Sequence, residues 1–346
     1  MDYIHGGDIY GKEIELDFSV NINPLGMPPK SIEAAIEGIH CAGRYPDYQC
    51  TALREKIAEK KQIDKEKILV GNGAAELIFA ICQSIRPKIA LAPAPCFGEY
   101  ERAVNSVGGR MEYVPLCKED EFEIKEDFLS FITDETDLLF LCNPNNPTGK
   151  LISRDILEAV IKKCEKTNTC LLVDECFLPF FSREEEYSLL REKSSCLIRL
   201  RAFTKIYGMA GLRLGYAVFE DKELLRRTRQ VLQPWNVSIP AQNAGVAALD
   251  DSDYLKRTHQ LIEKEKCYLL HEMKQGLAEK VYDTSANFIF FEAEPDLAEK
   301  FLEKKILIRD CSNYPNLGKG YFRICVGNHK ENMELIRRWK ELVKGK

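Results

Sequence analysis

Phe203-Thr204-Lys205-Ile206-Tyr207-Gly208-Met209-Ala210-Gly211-Leu212-Arg213-Leu214-Gly215 is the most informative stretch of this 346-residue chain. Lys205 stands after the apolar run 196–200, among small and apolar neighbours rather than on a charged helix face. Arg213 follows eight positions later, and Gly208, Gly211 and Gly215 let the backbone turn tightly. Most of the 49 basic residues must be surface solvation, so a lone lysine carries little weight. A lysine and an arginine delivered by one glycine-punctuated loop carry more. On either side of this loop, short apolar segments alternate with helical ones. Residues 68–70, 89–91, 111–114, 138–141, 171–173, 196–200 and 215–219 read as strands. Residues 31–39, 51–61, 76–85, 99–107 and 154–166 read as helices. Strands this short, without polar alternation, suit a mostly parallel sheet covered on both faces, which predicts a three-layer α/β structure. After about residue 234 the texture changes. A long helical stretch, 254–278, precedes strands at 287–291, 306–309 and 321–326 and a terminal helix at 330–343, the pattern of a smaller α+β lobe. The expected division is an arm at 1–28 joining the small lobe, a large domain at 29–235 and a small C-terminal domain at 236–346.

Composition narrows the function classes. Hydrophobic content of 45% and charged content of 30% are those of an ordinary globular chain. No apolar run approaches the roughly 18 residues of a membrane span, and the first residues have neither a basic start nor an apolar core. The expectation is a cytoplasmic protein without a membrane partner. A net charge of −5 gives no electrostatic footprint for nucleic acid. The 13 cysteines are scattered, with no Cys-x-x-Cys pair, so neither a metal centre nor a disulfide framework is expected. They read as small buried hydrophobes.

Three further segments could carry chemistry. Val70-Gly71-Asn72-Gly73-Ala74-Ala75-Glu76 runs from strand into helix through small residues, so free N–H groups and the helix dipole converge as a site for a phosphate. A plain glycine turn explains it equally well in isolation, and the dinucleotide fingerprint is incomplete because Glu76 stands where its third glycine belongs. Asn143-Pro144-Asn145-Asn146-Pro147-Thr148-Gly149 lies at the C-terminal edge of a strand, where open α/β sheets bind ligands. Asp174 ends the apolar run Leu171-Leu172-Val173, a place for a carboxylate that holds a protonated heterocyclic nitrogen. A phosphate cradle, an asparagine loop, a strand-end aspartate and a lysine with a nearby arginine answer a cofactor with a phosphate, a phenolic oxygen, a pyridine nitrogen and an aldehyde. That cofactor is pyridoxal 5′-phosphate.

With these motifs in this order over essentially the whole chain, the sequence resembles the fold-type I pyridoxal-phosphate enzymes, the aspartate aminotransferase-like superfamily. Within it the likeness is to the histidinol-phosphate aminotransferase branch and especially to the threonine-phosphate decarboxylases of cobalamin synthesis. It rests on His5-Gly6-Gly7, Asn21-Ile22-Asn23-Pro24-Leu25-Gly26-Met27-Pro28, Arg44-Tyr45-Pro46-Asp47, Gln233-Pro234-Trp235-Asn236-Val237 and Ile306-Leu307-Ile308-Arg309-Asp310-Cys311-Ser312-Asn313-Tyr314-Pro315, leading to Tyr321-Phe322-Arg323. The resemblance implies that Lys205 carries the cofactor and then moves protons, and that Asp174 pairs with the ring nitrogen. It implies that Asn146 donates to the phenolic oxygen and Phe97 stacks on the ring. Gly73, Ala74, Thr204 and Arg213 would hold the phosphate, joined by Tyr45 from a second subunit of a homodimer. Arg323 would grip a substrate carboxylate.

Two positions depart from the commonest pattern. Ala202 replaces a phosphate-binding serine, and Phe177 replaces a tyrosine that would donate to the phenolic oxygen, as in the decarboxylases. His5, Asn23, Arg309 and Arg323 exceed what the cofactor needs, which predicts a phosphorylated amino acid as substrate. The leading expectation is decarboxylation of O-phospho-L-threonine. Transamination of histidinol phosphate or a related amino acid with 2-oxoglutarate is the alternative. A non-catalytic relative or a nucleotide-dependent oxidoreductase fits less well, because Lys205 and Asp174 are both present.

Overall fold

The computed structural model describes residues 5–344. The chain enters along a two-residue strand, β1 (Leu16–Asp17), then forms helices α1 (Pro29–His40) and α2 (Thr51–Lys61). An alternating section follows: β2 (Ile68–Gly71), α3 (Gly73–Ile85), β3 (Ile89–Ala94), α4 (Glu99–Asn105), β4 (Arg110–Pro115), β5 (Leu138–Cys142), α5 (Arg154–Thr167) and β6 (Cys170–Asp174). It continues with the short helix α6 (Glu184–Tyr187), β7 (Leu197–Ala202), the single turn α7 (Phe203–Ile206), β8 (Gly215–Phe219) and α8 (Lys222–Val231). Strands β2 to β8 form one seven-stranded sheet in the order β2-β8-β7-β6-β5-β3-β4. Neighbours run parallel from β7 to β4, whereas β8 is antiparallel to both β7 and β2.

Burial explains the unalternating strands. Every residue of β5 is buried, with Phe140 entering a cluster on one face of the sheet and Leu139 and Leu141 entering another on the opposite face. A strand covered on both sides has no solvated face to mark with polar residues. Helix α5 is capped at both ends by its own sequence. Ser153 Oγ accepts from Ile156 N at 3.4 Å at the start of α5, and Asn168 ends that helix in the left-handed region.

The remainder opens with α9 (Ile239–Asp250), which packs on α1 and α2, and the long α10 (Ser252–Met273). Strands β9 (Lys280–Val281) and β10 (Phe288–Glu292), helix α11 (Leu297–Glu303), strands β11 (Ile306–Leu307), β12 (Arg309–Asp310) and β13 (Tyr321–Cys325), and helix α12 (His329–Lys344) complete the chain. A four-stranded antiparallel sheet in the order β12-β13-β10-β9 carries α10 and α12. β1 pairs in parallel with β11, Leu16 opposite Ile306, so the N-terminal arm is joined to this smaller lobe. One hydrophobic cluster runs from Phe203 and Tyr216 to Phe288 and Trp339 and ties the two lobes together.

Eight of the 13 cysteines are buried, three are partly buried, and all are free thiols. Burial pushes the thiols of Cys50, Cys82 and Cys311 up to about 12. No described helix is long and apolar enough to cross a membrane.

Candidate active site

The C-terminal ends of β5, β6 and β7 open into a cavity of about 420 Å³, closed from the other side by the N-terminal arm and the small lobe. Lys205 lies on its floor, one turn beyond β7. Its carbonyl accepts from Asn23 N at 3.0 Å and Gly208 N at 3.3 Å, which pins the backbone of the turn. Burial, the largest cause, lowers the amine to about 8 and the Arg323 charge acts in the same sense; Cys176 opposes them, Arg213 adds a smaller lowering, and Asp174 opposes least. Asp174, at the end of β6, is 6% exposed. Its Oδ2 accepts from the Tyr100 hydroxyl at 2.9 Å and its Oδ1 from Cys176 N at 2.9 Å. Tyr100 itself stacks on Phe140, with centroids 4.7 Å apart, and meets Phe97 edge-on.

At one end of the cavity α3 presents its N-terminus without a side-chain cap on the first helical N–H groups. Gly73 has φ +82°, and a Cβ there would lie 2.6 Å from Arg213 Nη2, so only glycine lets this guanidinium lie against the helix start. Thr204 lines the same end, as does Ala202 with no hydroxyl to offer. Glu76 folds back to accept from Asn72 N at 2.6 Å, and so takes part in the helix start rather than making room for a dinucleotide.

At the other end stand two guanidiniums. Arg323 on β13 donates to Ser19 O at 2.9 Å and to Asn146 Oδ1. Arg309 on β12 donates to Asn313 Oδ1 at 2.7 Å and to Asp310 O. Both are nearly buried, and among the described residues neither forms a salt bridge with a carboxylate. Asn146 Oδ1 also accepts from Tyr314 Oη at 3.3 Å, which turns the NH₂ end of the amide away from the arginine. His5 Nε2 lies 2.8 Å from Glu99 Oε1 and tethers the arm across the mouth.

Most of the expected residues therefore converge: His5, Ala74, Phe97, Asn146, Asp174, Phe177, Thr204, Lys205, Arg213, Arg309 and Arg323 all line this cavity. Gly73 backs Arg213. Two expected residues lie elsewhere. The Asn23 amide donates to Ile206 O and to Thr258 Oγ1, both at 2.8 Å, so it braces the lysine turn against α10 and does not face a ligand. Asn21, two residues earlier, lines the cavity instead, and its buried Oδ1 has no hydrogen-bond partner among the described residues. Tyr45 is 74% exposed and stacks on Trp235 at 4.4 Å, outside the cavity of its own chain. Tyr100, Glu99 and Tyr314 are not among the expected site residues; Glu99 and Tyr100 follow Phe97 closely and Tyr314 lies within 306–315, but their contacts with Asp174, His5 and Arg323 are made only by the folded chain.

Residues 13–338 match the family described as aminotransferase class I and II. The chain belongs to that family. Its members are pyridoxal-phosphate enzymes. Among curated relatives, the threonine-phosphate decarboxylase of Salmonella typhimurium is 35% identical over 333 residues, covering 95% of this chain and 92% of its own. The histidinol-phosphate aminotransferase of Moorella thermoacetica is 32% identical, covering 93% and 84%. Among solved structures, the histidinol-phosphate aminotransferase of Clostridium acetobutylicum superposes with a TM-score of 0.89 at 30% identity, covering 96% of this chain and all of that one. The aminotransferase fold accounts for the lone antiparallel β8. That strand brings Gly215 back beside β7, so that Arg213 reaches the start of α3.

Proposed function

We propose that this chain is a pyridoxal-phosphate-dependent decarboxylase of a phosphorylated amino acid, with O-phospho-L-threonine as the substrate that fits best. The residues present fit the cofactor. The uncapped start of α3 with Arg213 and Thr204 would take its phosphate, Asp174 its ring nitrogen, Asn146 its phenolic oxygen, Phe97 a ring face and Lys205 its aldehyde. When bound, the cofactor supplies an electron sink for the bond that breaks at the substrate Cα.

The observation that carries the substrate class is the pair Arg309 and Arg323. Two nearly buried guanidiniums, held among the described residues by neutral groups, are not neutralised by a carboxylate and are open to an anionic ligand. With Arg213 given to the cofactor phosphate, the cavity has places for two anions on one substrate, an α-carboxylate and a phosphate. The Lys205 amine, neutral in an appreciable fraction near pH 8, can accept and return a proton at Nζ, and so can deliver one to Cα after CO₂ leaves. Phe177 offers no hydroxyl beside the ring, as in the decarboxylases the sequence resembles, and the Salmonella typhimurium relative supports the same reading.

Transamination is the second reading, favoured by the likeness to the Clostridium acetobutylicum enzyme. Release of labelled CO₂ from carboxyl-labelled O-phospho-L-threonine is the expected result. Transfer of the amino group to 2-oxoglutarate without CO₂ would replace decarboxylation by transamination.

The working unit is proposed to be a homodimer. Ile32, Ile36 and Ile39 of α1 are 45%, 48% and 61% exposed, and their spacing puts them on one helix face. That stripe and the exposed Tyr45–Trp235 stack would be covered by a second copy, which places Tyr45 where it can serve the partner's site.

A further inference from the structure

Tyr314 lies in the turn between β12 and β13, its N–H donating to Cys311 O at 3.0 Å and its carbonyl accepting from Leu317 N at 3.1 Å. Its ring is 8% exposed and rooted in a small cluster with Leu116, Phe122, Tyr282 and Phe290. The side chain touches both arginines of the anion end of the cavity. The Arg309 guanidinium lies over its face, 5.0 Å from the centroid, and Arg323 Nη1 reaches its hydroxyl at 3.4 Å. The same hydroxyl donates to Asn146 Oδ1 at 3.3 Å.

Two guanidiniums in one cavity repel each other and tend to swing apart or recruit a carboxylate. A carboxylate would hold them but would also neutralise them, and an incoming anion would then have to displace it. A π face and a hydroxyl hold a cation without neutralising it. We propose that Tyr314 is the positioning residue that sets substrate selectivity: its ring face fixes Arg309 for the phosphate, and its hydroxyl fixes Arg323 and the Asn146 amide for the carboxylate end. This rests on the reading above that the substrate carries two anions. The ring and the hydroxyl thus have separable effects.

The test mixes the holoenzyme with O-phospho-L-threonine or with L-threonine in a stopped-flow instrument, reads the cofactor absorbance in the first turnover, and compares the two dissociation constants from the concentration dependence of that phase. Tyr314→Leu, or Tyr314→Met if the leucine variant does not fold, removes the ring. It should lower the preference for the phosphorylated ligand by roughly five- to thirtyfold, the worth of a desolvated cation–π contact. Tyr314→Phe keeps the ring and the fold. It should weaken both ligands by a similar factor and leave the preference within about twofold of wild type. A discriminating wild type whose ringless variants keep the same preference, or a phenylalanine variant that loses the preference or weakens neither ligand, overturns the role of Tyr314 alone. A wild type that binds both ligands equally overturns the two-anion reading and this inference together.

Discussion

The amine of Lys205 sits between a low-dielectric wall and two guanidiniums, and this decides when it can react. A free lysine near 10.5 is almost entirely protonated at neutral pH; here burial, then the Arg323 and Arg213 charges, bring it to about 8. Only the neutral amine attacks an aldehyde. Capture of pyridoxal phosphate by the apoprotein should therefore accelerate about tenfold per pH unit at low pH and level off near pH 8, followed by stopped-flow absorbance. A midpoint above 10 would contradict the environment described for this amine. Borohydride reduction should leave the pyridoxyl group on Lys205 in peptide mapping. Asp174 makes the second residue-scale case, because its carboxylate holds its place partly through the Tyr100 hydroxyl. Tyr100→Phe removes a hydrogen bond to a buried charge and should cost about 1.5–3 kcal/mol of stability in urea titration. An unchanged midpoint would mean that the hydroxyl contributes nothing.

At the scale of the element, β7 shows both what the sequence discloses and what it hides. Residues 196–200 read as an apolar strand, and the strand that forms, Leu197–Ala202, is buried throughout. Yet Arg199 and Arg201 are buried with it, on the face opposite Ile198 and Leu200. Arg201 donates to Glu175 Oε2 at 2.6 Å and to Glu184 Oε1 at 2.9 Å. Burial pushes the Glu184 carboxyl up, and the Arg201 and Lys61 charges override it and bring it to about 2. An acid lowered from 4.5 stabilises the fold above pH 4.5, and that contribution is lost as pH falls towards 2. Glu184→Gln should flatten the acid limb of the stability profile by about 2–3 kcal/mol. Arg201→Met, which leaves Glu175 buried and unpaired by charge, should cost about 3–5 kcal/mol. Partnerships across strands have no signature in a linear pattern, and the same holds for Tyr100 with Asp174. Helices α8 and α9 escaped the pattern for a local reason. α9 buries only small residues, Ala241, Ala244, Gly245 and Ala248, and has almost no apolar period, whereas α8 gathers Leu224, Leu225 and Thr228 on one face of a segment so rich in charge that the stripe is short of apolar residues. The strands, the glycine cradle and the lysine loop were legible because each depends on neighbours in sequence. Asn21 and Asn23 were not separable, since only the folded chain decides which one faces the cavity and which braces the lysine turn.

For the whole molecule, the exposed stripe of α1 makes the assembly testable. Ile36→Asp places a charge in the centre of the face assigned to the second copy, and sedimentation should show monomers where the wild type sediments as a dimer. A wild type that is monomeric and fully active would remove the shared site. Tyr45→Phe should then weaken cofactor binding by about 1.5–3 kcal/mol in the dimer only, the value of a hydrogen bond to a charged group.

The parallel pairing of β1 with β11 gives the molecule a temporal order. Residues 16–17 leave the ribosome early, and their partners 306–307 emerge roughly 15–60 s later at ordinary synthesis rates. By then the seven-stranded sheet, with Lys205, Asp174 and the start of α3, is already made, whereas Arg309 and Arg323 are only just being added. At that point the chain contains the residues proposed for the cofactor, and those proposed for the substrate anions are the last to be added. The arm can pair with β11 only once residues 306–307 have been made, so the order of synthesis sets the order in which the two sides of the cavity come together.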